Sequence, residues 1–229
     1  MIEFDIREND SNIRADRFLL KATEAPSSMI YKAFRKKDVK INGKWIKEDH
    51  ILKCGDILRI FIDEGFLKQR TAQTTLVTVP VVYEDNNIVI FNKPAPMPCQ
   101  PDISRKTSLS DVLKSYLQRK GEYDIAENSF SPALCNRIDT NTTGLVIGAK
   151  NAAALRTMNG LIREGLVHKY YLCTVEGRVD GGKSVNTFIK KDEKTNKSTI
   201  SKSGKAVSME YCVVAQNGNT TDIEVLLHT

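Results

Sequence analysis

Apolar residues in the first part of the chain recur at helical spacing. Over residues 14–23, Phe18, Leu19 and Ala22 fall on one stripe, which predicts a short helix. A second follows, with Met29, Ile30, Ala33 and Phe34 as its buried face. Ser27 or Ser28 is expected to cap it, because a side-chain oxygen can accept a free backbone N–H there. Lys32, Arg35 and Lys36 then point outward. Asn42 and Gly43, set between the strand-like Val39–Ile41 and Trp45 with Ile46, signal a tight hairpin, since both turn positions favour positive φ. Gly55 and Asp56 make another turn, leading into a strand over 57–62.

Residues 64–75 show no periodicity and are rich in Thr and Gln, the composition of a linker. A new pattern starts after them. Strands are predicted at 81–83 and 88–91 around the turn 84–87, and Pro94 ends the second because it cannot donate to a ladder. Pro94, Pro96 and Pro98 impose an extended loop. Ser108 and Asp111 have the spacing of a capping box ahead of a helix carrying Leu109, Val112, Leu113, Tyr116 and Leu117, which Gly121 stops. A strand at 144–150 precedes a helix at 152–164 capped by Asn151. Further strands are expected at 167–175, 209–214 and 222–227. Mixed helices and strands with turn-rich connections indicate an α+β fold around a mainly antiparallel sheet.

Composition narrows the classes. The 229 residues, 41% of them hydrophobic, allow one or two domains with real cores and exclude wholesale disorder. No apolar run approaches the ~20 residues that span a bilayer, and Met1-Ile-Glu-Phe-Asp is not a signal peptide. No membrane partner is expected. Five cysteines, about 36 to 45 residues apart and without CxxC spacing, encode neither a zinc site nor a disulfide scaffold and read as reduced thiols of a cytoplasmic protein. His50, His168 and His228 are too scattered for a metal site or a Ser-His-Asp triad. Gly181-Gly182-Lys183-Ser184 lacks the first glycine and the strand-to-helix setting of a phosphate loop. The net charge of +6 is mild but uneven. Eight Lys/Arg lie between Ser28 and Lys53, and seven lysines between Lys183 and Lys205. Such clusters suit a polyanion or an ordinary solvated face, and charge alone does not separate the two.

The segment that carries chemistry runs from Ser131 through Asn136-Arg137-Ile138-Asp139 to Thr143-Gly144. Asp139 stands in a turn-prone stretch beside a strand expected to be buried, so its carboxylate should lie at a core edge and require compensation. Arg137, two residues earlier on an extended backbone, is placed to pair with it and hold it ionised at neutral pH. On these residues alone, Arg-Ile-Asp is a structural ion pair more often than a catalytic one.

Two resemblances add to this. The helix pair, Lys-rich corner, Val-x-Ile-Asn-Gly-Lys turn and late strand over residues 11–62 resemble the S4 domain, a small RNA-binding fold, with Asp38 where that family usually has a small residue. The string Asn136-Arg137-Ile138-Asp139-x-x-Thr-Thr143-Gly144-Leu resembles the signature of the RluA/RluC/RluD-type pseudouridine synthases. Tyr83 to Ala95 resembles that family's first motif, and Lys169-x-Tyr171-Leu its catalytic-tyrosine strand.

The resemblance implies an S4-like RNA-binding domain at 1–63, a linker at 64–75 and a catalytic domain at 76–229. It implies a reaction without cofactor or metal, in which uracil is cut from its ribose, rotated and rejoined through C5. Asp139 is then the catalytic carboxylate, either a nucleophile or a base that removes a ribose proton. Tyr171 lies against the base, and Arg137 fills the place the extruded base leaves in the RNA, in competition with the ion-pair reading. Asn92, Lys93, Pro94, Thr143, Gly144 and Lys169 shape the pocket, and Arg35, Lys36, Lys37 and Lys44 contact RNA. The expected partner is 23S-type ribosomal RNA or a ribosome precursor, met by a monomer.

Departures are noted too. Asn136 stands for the commoner His and Thr143 for the commoner Ser. The family continues from a strand like 222–227 into Gly-Arg-x-His-Gln-Ile-Arg, whereas this sequence ends at Leu227-His228-Thr229. The resemblance therefore implies an active site short of one wall, weak or no activity for residues 1–229, and Val225 to Leu227 exposed at a sheet edge as an association hazard. A non-catalytic S4-type RNA-binding or ribosome-assembly protein is the alternative. A hydrolase using Asp139 is disfavoured, because no second carboxylate or His is placed to activate water.

Overall fold

In a computed structural model, which describes residues 1–68, 75–102, 107–192 and 198–228, the chain divides into two compact units, Met1–Asn159 and Gly160–Thr229. Part of the expected linker, residues 69–74, and the tip of the Lys-rich excursion, residues 193–197, lie outside the described residues.

The first unit holds two cores. One is built on β1 (Ile2–Asp5), α1 (Ala15–Ala22), α2 (Ser27–Arg35), β2 (Val39–Ile41), β3 (Lys44–Trp45) and β4 (Ile57–Ile60). The four strands are antiparallel in the order β1-β4-β2-β3. Alternation along β1, β2 and β4 sends Phe4, Val39, Leu58 and Ile60 inward, where Phe18 and Leu19 of α1 and Ile30 and Phe34 of α2 meet them. Asn42 and Gly43 take φ of 50° and 83°, as the hairpin requires. The expected serine cap does not form. Pro26 is the residue before α2, its carbonyl accepts from the N–H of Met29 at 2.9 Å, and Ser27 and Ser28 lie exposed in the first turn.

The second core uses β5 (Val81–Glu84), β6 (Ile88–Lys93), α3 (Leu109–Arg119), β7 (Ala133–Leu134) and β8 (Gly144–Ala149), with α4 (Ala152–Arg163) following. The sheet order is β5-β6-β8-β7, all antiparallel. Val89, Phe91 and Val146 pack on Leu109, Val112, Leu113 and Leu117 of α3. A Cβ at Gly148 would stand 2.9 Å from a Leu113 methyl, so a larger residue there would have to push the buried Leu113 side chain aside. The capping box at α3 is present, with the Ser108 N–H donating to Asp111 and the Asp111 N–H to the Ser108 hydroxyl. Asn151 caps α4, its Oδ1 accepting from Ala154 N at 2.8 Å.

Asp10, fully buried, ties the two cores together. Its carboxylate accepts from the backbone N–H of Arg7, from Asn128 Nδ2 at 2.9 Å and from both the N–H and the hydroxyl of Ser129. Asn9 adds a bond from the N–H of Ala152 at 3.0 Å.

The second unit is an antiparallel sheet of β9 (Lys169–Glu176), β10 (Lys183–Lys191), β11 (Ser198–Ser201), β12 (Lys205–Asn217) and β13 (Thr220–Leu227), in the order β11-β10-β12-β13-β9. The Lys-rich excursion is thus two strands of this sheet. The expectation of an exposed edge at Val225 to Leu227 is corrected here. β13 is an interior strand paired on both sides, and Val225 is buried.

Candidate active site

β7 and the residues after it run along β8, with Cys135 N donating to Ile147 O at 2.7 Å. Asn136 prolongs the pairing through its side chain, whose Oδ1 accepts from Ile147 N at 2.8 Å and whose amide donates to Leu145 O. There the chain leaves the sheet. Ile138 turns inward against the second core, while Arg137 and Asp139 on either side of it face solvent. Asp139 opens a tight turn, its carbonyl accepting from Thr142 N at 3.1 Å, and the chain re-enters β8 at Gly144, whose φ of 136° is one a glycine adopts freely.

Beneath this turn sits Lys93, the last residue of β6, with no solvent exposure. Its ammonium donates to three backbone carbonyls, Met97 at 2.8 Å and Pro94 and Thr140 at 3.2 Å each. Burial pushes its pKa down, and the nearby Cys99 and Asp139 partly offset that. The loop after β6 is also stitched to the turn directly. Met97 N donates to Thr140 O at 3.0 Å and the Cys99 thiol to Ile138 O at 3.3 Å. The segment 138–140 is therefore held from below at Ile138 and Thr140, the residues on either side of Asp139, leaving the Asp139 side chain on the outside.

Two expectations change. Asp139 is exposed and does not sit at a core edge, and among the described residues no ion pair joins it to Arg137. The physical reason is that Ile138 takes the inward position, so its neighbours are solvated and need no mutual compensation. Lys93, expected at a pocket floor, is packed beneath the turn. Asn92, Pro94 and Thr143 are exposed and Gly144 is partly buried, all in this same neighbourhood of β6 and β8. The parts played by the Thr140 carbonyl and by the Asn136 amide were not read from the sequence, because the bonds join segments more than forty residues apart or depend on a side-chain direction.

The second unit carries Lys169 and Tyr171 on β9, two residues apart and so on one face of the strand. Tyr171 lies opposite Val225, which in turn lies opposite Tyr211, so the three form a cross-strand row with Tyr171 half-buried at its end. Of the residues expected to bind RNA, Arg35, Lys36, Lys37 and Lys44 are all exposed, at the end of α2 and in the hairpin between β2 and β3.

Comparison with known proteins places this arrangement. A family model described as RNA pseudouridylate synthase matches residues 87–229, which include both the Asp139 turn and β9. An uncharacterized RNA pseudouridine synthase of Mycoplasma capricolum is 34% identical over 208 residues, 88% of this chain and 68% of that protein. Ribosomal large subunit pseudouridine synthase C of Vibrio vulnificus is 28% identical over 231 residues, 96% of this chain and 70% of the relative. Among solved structures, human RNA pseudouridylate synthase domain containing 1 shares the fold, with a TM-score of 0.53 at 16% identity over 66% of this chain and 60% of that one. With the motif, the turn that presents it and the extent of the match in agreement, the chain belongs to the RNA pseudouridylate synthase family.

Proposed function

We propose that the protein isomerises selected uridines of large-subunit ribosomal RNA to pseudouridine, with Asp139 as the catalytic carboxylate. The observation that carries this is the exposed Asp139 side chain on a turn whose backbone is held from beneath by Lys93. A carboxylate so placed can reach a nucleotide drawn out of the RNA while its own position is not free to wander. Either of two steps suits it: attack on the ribose, or removal of a ribose proton that lets the N1–C1′ bond break. The freed uracil then turns and C5 bonds to C1′ as the Asp139 ester bond breaks or the ribose proton is returned, and loss of the C5 proton is balanced by protonation of N1. Tyr171 supplies an aromatic surface for the base, and stacking of that kind contributes ~1–3 kcal/mol. The target must first leave its stack at a cost of a few kcal/mol, and the exposed Arg137 is suited to occupy the gap. The S4-like first core brings RNA to the site through Arg35, Lys36, Lys37 and Lys44.

Pseudouridine mapping in ribosomal RNA tests this, in cells carrying the wild-type gene, a deletion, or Asp139→Asn. Specific sites should vanish in the deletion and stay absent with D139N, while the variant protein keeps its RNA affinity. Sites that persist with D139N would remove Asp139 from its role. Sites unchanged even by the deletion would favour the second reading, a non-catalytic RNA-binding or ribosome-assembly protein, for which the basic end of α2 is the supporting feature.

A further inference from the structure

The outer face of the first sheet carries two aromatic side chains that neither the core nor the proposed chemistry uses, set among cations of which Arg59 is paired with Glu3. Its inner face is covered by α1 and α2. Lys40 of β2 is directly opposite Trp45 of β3 on one side and Arg59 of β4 on the other, so the three side chains share the outer face. Phe61, two residues beyond Arg59, joins them. Trp45 and Phe61 are 50% and 46% exposed, so both rings offer a face to solvent. Each has a lysine above it. Lys37 Nζ is 5.0 Å from the Trp45 ring centre, and Lys40 Nζ is 5.3 Å from that of Phe61. Lys37 reaches its place from a residue with φ of 62°, which swings it off the end of α2 toward the sheet. Along the β3 edge, Trp45 also walls an open groove of about 700 Å³ whose rim includes Lys44, Lys47 and His50, with Asp49 as the opposing charge.

We propose that this face binds an unpaired RNA segment, with bases stacking on Trp45 and Phe61 and the phosphates met by Lys37, Lys40 and Lys47. Aromatic rings interleaved with lysines are the pairing that single strands require, since every base offers a π-face and every phosphate a negative charge. A duplex, whose bases are already stacked, has nothing to offer the rings. The inference rests on the proposal that RNA is the substrate and goes beyond it, because it assigns a contact surface away from the Asp139 turn and on the sheet, not on α2.

Trp45 is the only tryptophan in the sequence, so tryptophan emission reports this site alone. Titrating the chain with a short single-stranded RNA of mixed sequence should quench that emission, and a duplex of the same sequence should not. Trp45→Ala should weaken single-strand binding about ten-fold or more, and Trp45→Phe should recover most of it. Lys37→Gln with Lys40→Gln should flatten the salt dependence of binding. Far-UV circular dichroism controls for folding, and a half-exposed residue is a mild position to truncate. RNA binding that leaves emission and W45A affinity unchanged would overturn the platform while leaving RNA as the substrate. Equal quenching by duplex would overturn the single-strand specificity. No RNA binding by the wild-type chain would overturn both this proposal and the RNA-binding role of the first core.

Discussion

Lys93 shows how a buried residue can decide the geometry of an exposed one. An ammonium has three protons, and Lys93 gives one to each of three carbonyls, one of them in the residue after Asp139. Replacing it by methionine keeps the bulk but removes the donors. Lys93→Met is expected to lower stability by about 2–4 kcal/mol, since buried carbonyls lose partners. It should also reduce pseudouridine formation while RNA affinity stays the same, because the Asp139 turn loses its support but not its charge. Lys93→Arg should not restore activity, as a planar fork cannot aim at three converging carbonyls. Chemical unfolding together with pseudouridine yield at matched RNA occupancy checks this, and an unchanged yield would confine Lys93 to stability. At this scale the sequence identified Asp139 through its motif but misjudged its surroundings. Whether Arg137 and Asp139 meet depends on which of three successive side chains the core takes, and the core took Ile138.

Secondary-structure elements in the second core are held at one end by charge. Glu84, at the close of β5, accepts from Tyr116 of α3 at 2.6 Å, from Lys120 just after α3 at 2.7 Å and from Lys150 after β8 at 2.9 Å, while Glu122 bridges both lysines. Burial by itself pushes the Glu84 carboxyl up, but the hydrogen bonds from Lys120, Tyr116 and Lys150 outweigh it and hold the pKa at about 2, against 4.5 ordinarily. A depressed acid stabilises the fold above its unfolded pKa. The contribution of Glu84 should therefore be complete above about pH 4.5 and disappear as the pH falls toward 2. Glu84→Gln should cost about 1–3 kcal/mol at neutral pH, and the variant's deficit should shrink through that acid window. Urea unfolding at a series of pH values checks it, and a deficit independent of pH would contradict the assignment. The elements themselves were largely legible: the caps at Ser108 and Asn151, the Asn42-Gly43 turn and the stripe of α3 all follow from local stereochemistry. β1 was not, being four residues whose partner strand begins more than fifty residues later. Nor was β10, whose lysines mimic a solvated loop, nor the four-residue β11.

In the whole molecule, a buried carboxylate stands at the centre of the joint between the first and second cores. Asp10 gathers bonds from Arg7, Asn128 and Ser129, and Asn9 meets the first turn of α4. Asp10→Ala should lower stability by roughly 2–4 kcal/mol, since four donors lose their acceptor. It should also loosen the joint first. Hydrogen exchange is expected to rise at Ser129 and Ala152 before the strands of either core are affected, and a uniform rise throughout would mean that Asp10 supports only general folding. The sequence by itself determined the α+β class, most helices and strands, and the motifs that place the chain in its family, because each is written in a short window of periodicity, capping or spacing. Tertiary structure alone decided that Asp139 faces solvent without Arg137, that Lys93 supports its turn, that Asp10 joins the cores, and that Trp45 stands open under Lys37. These are contacts between residues distant in sequence or choices between faces, and the energy that selects them arises only when the surfaces meet.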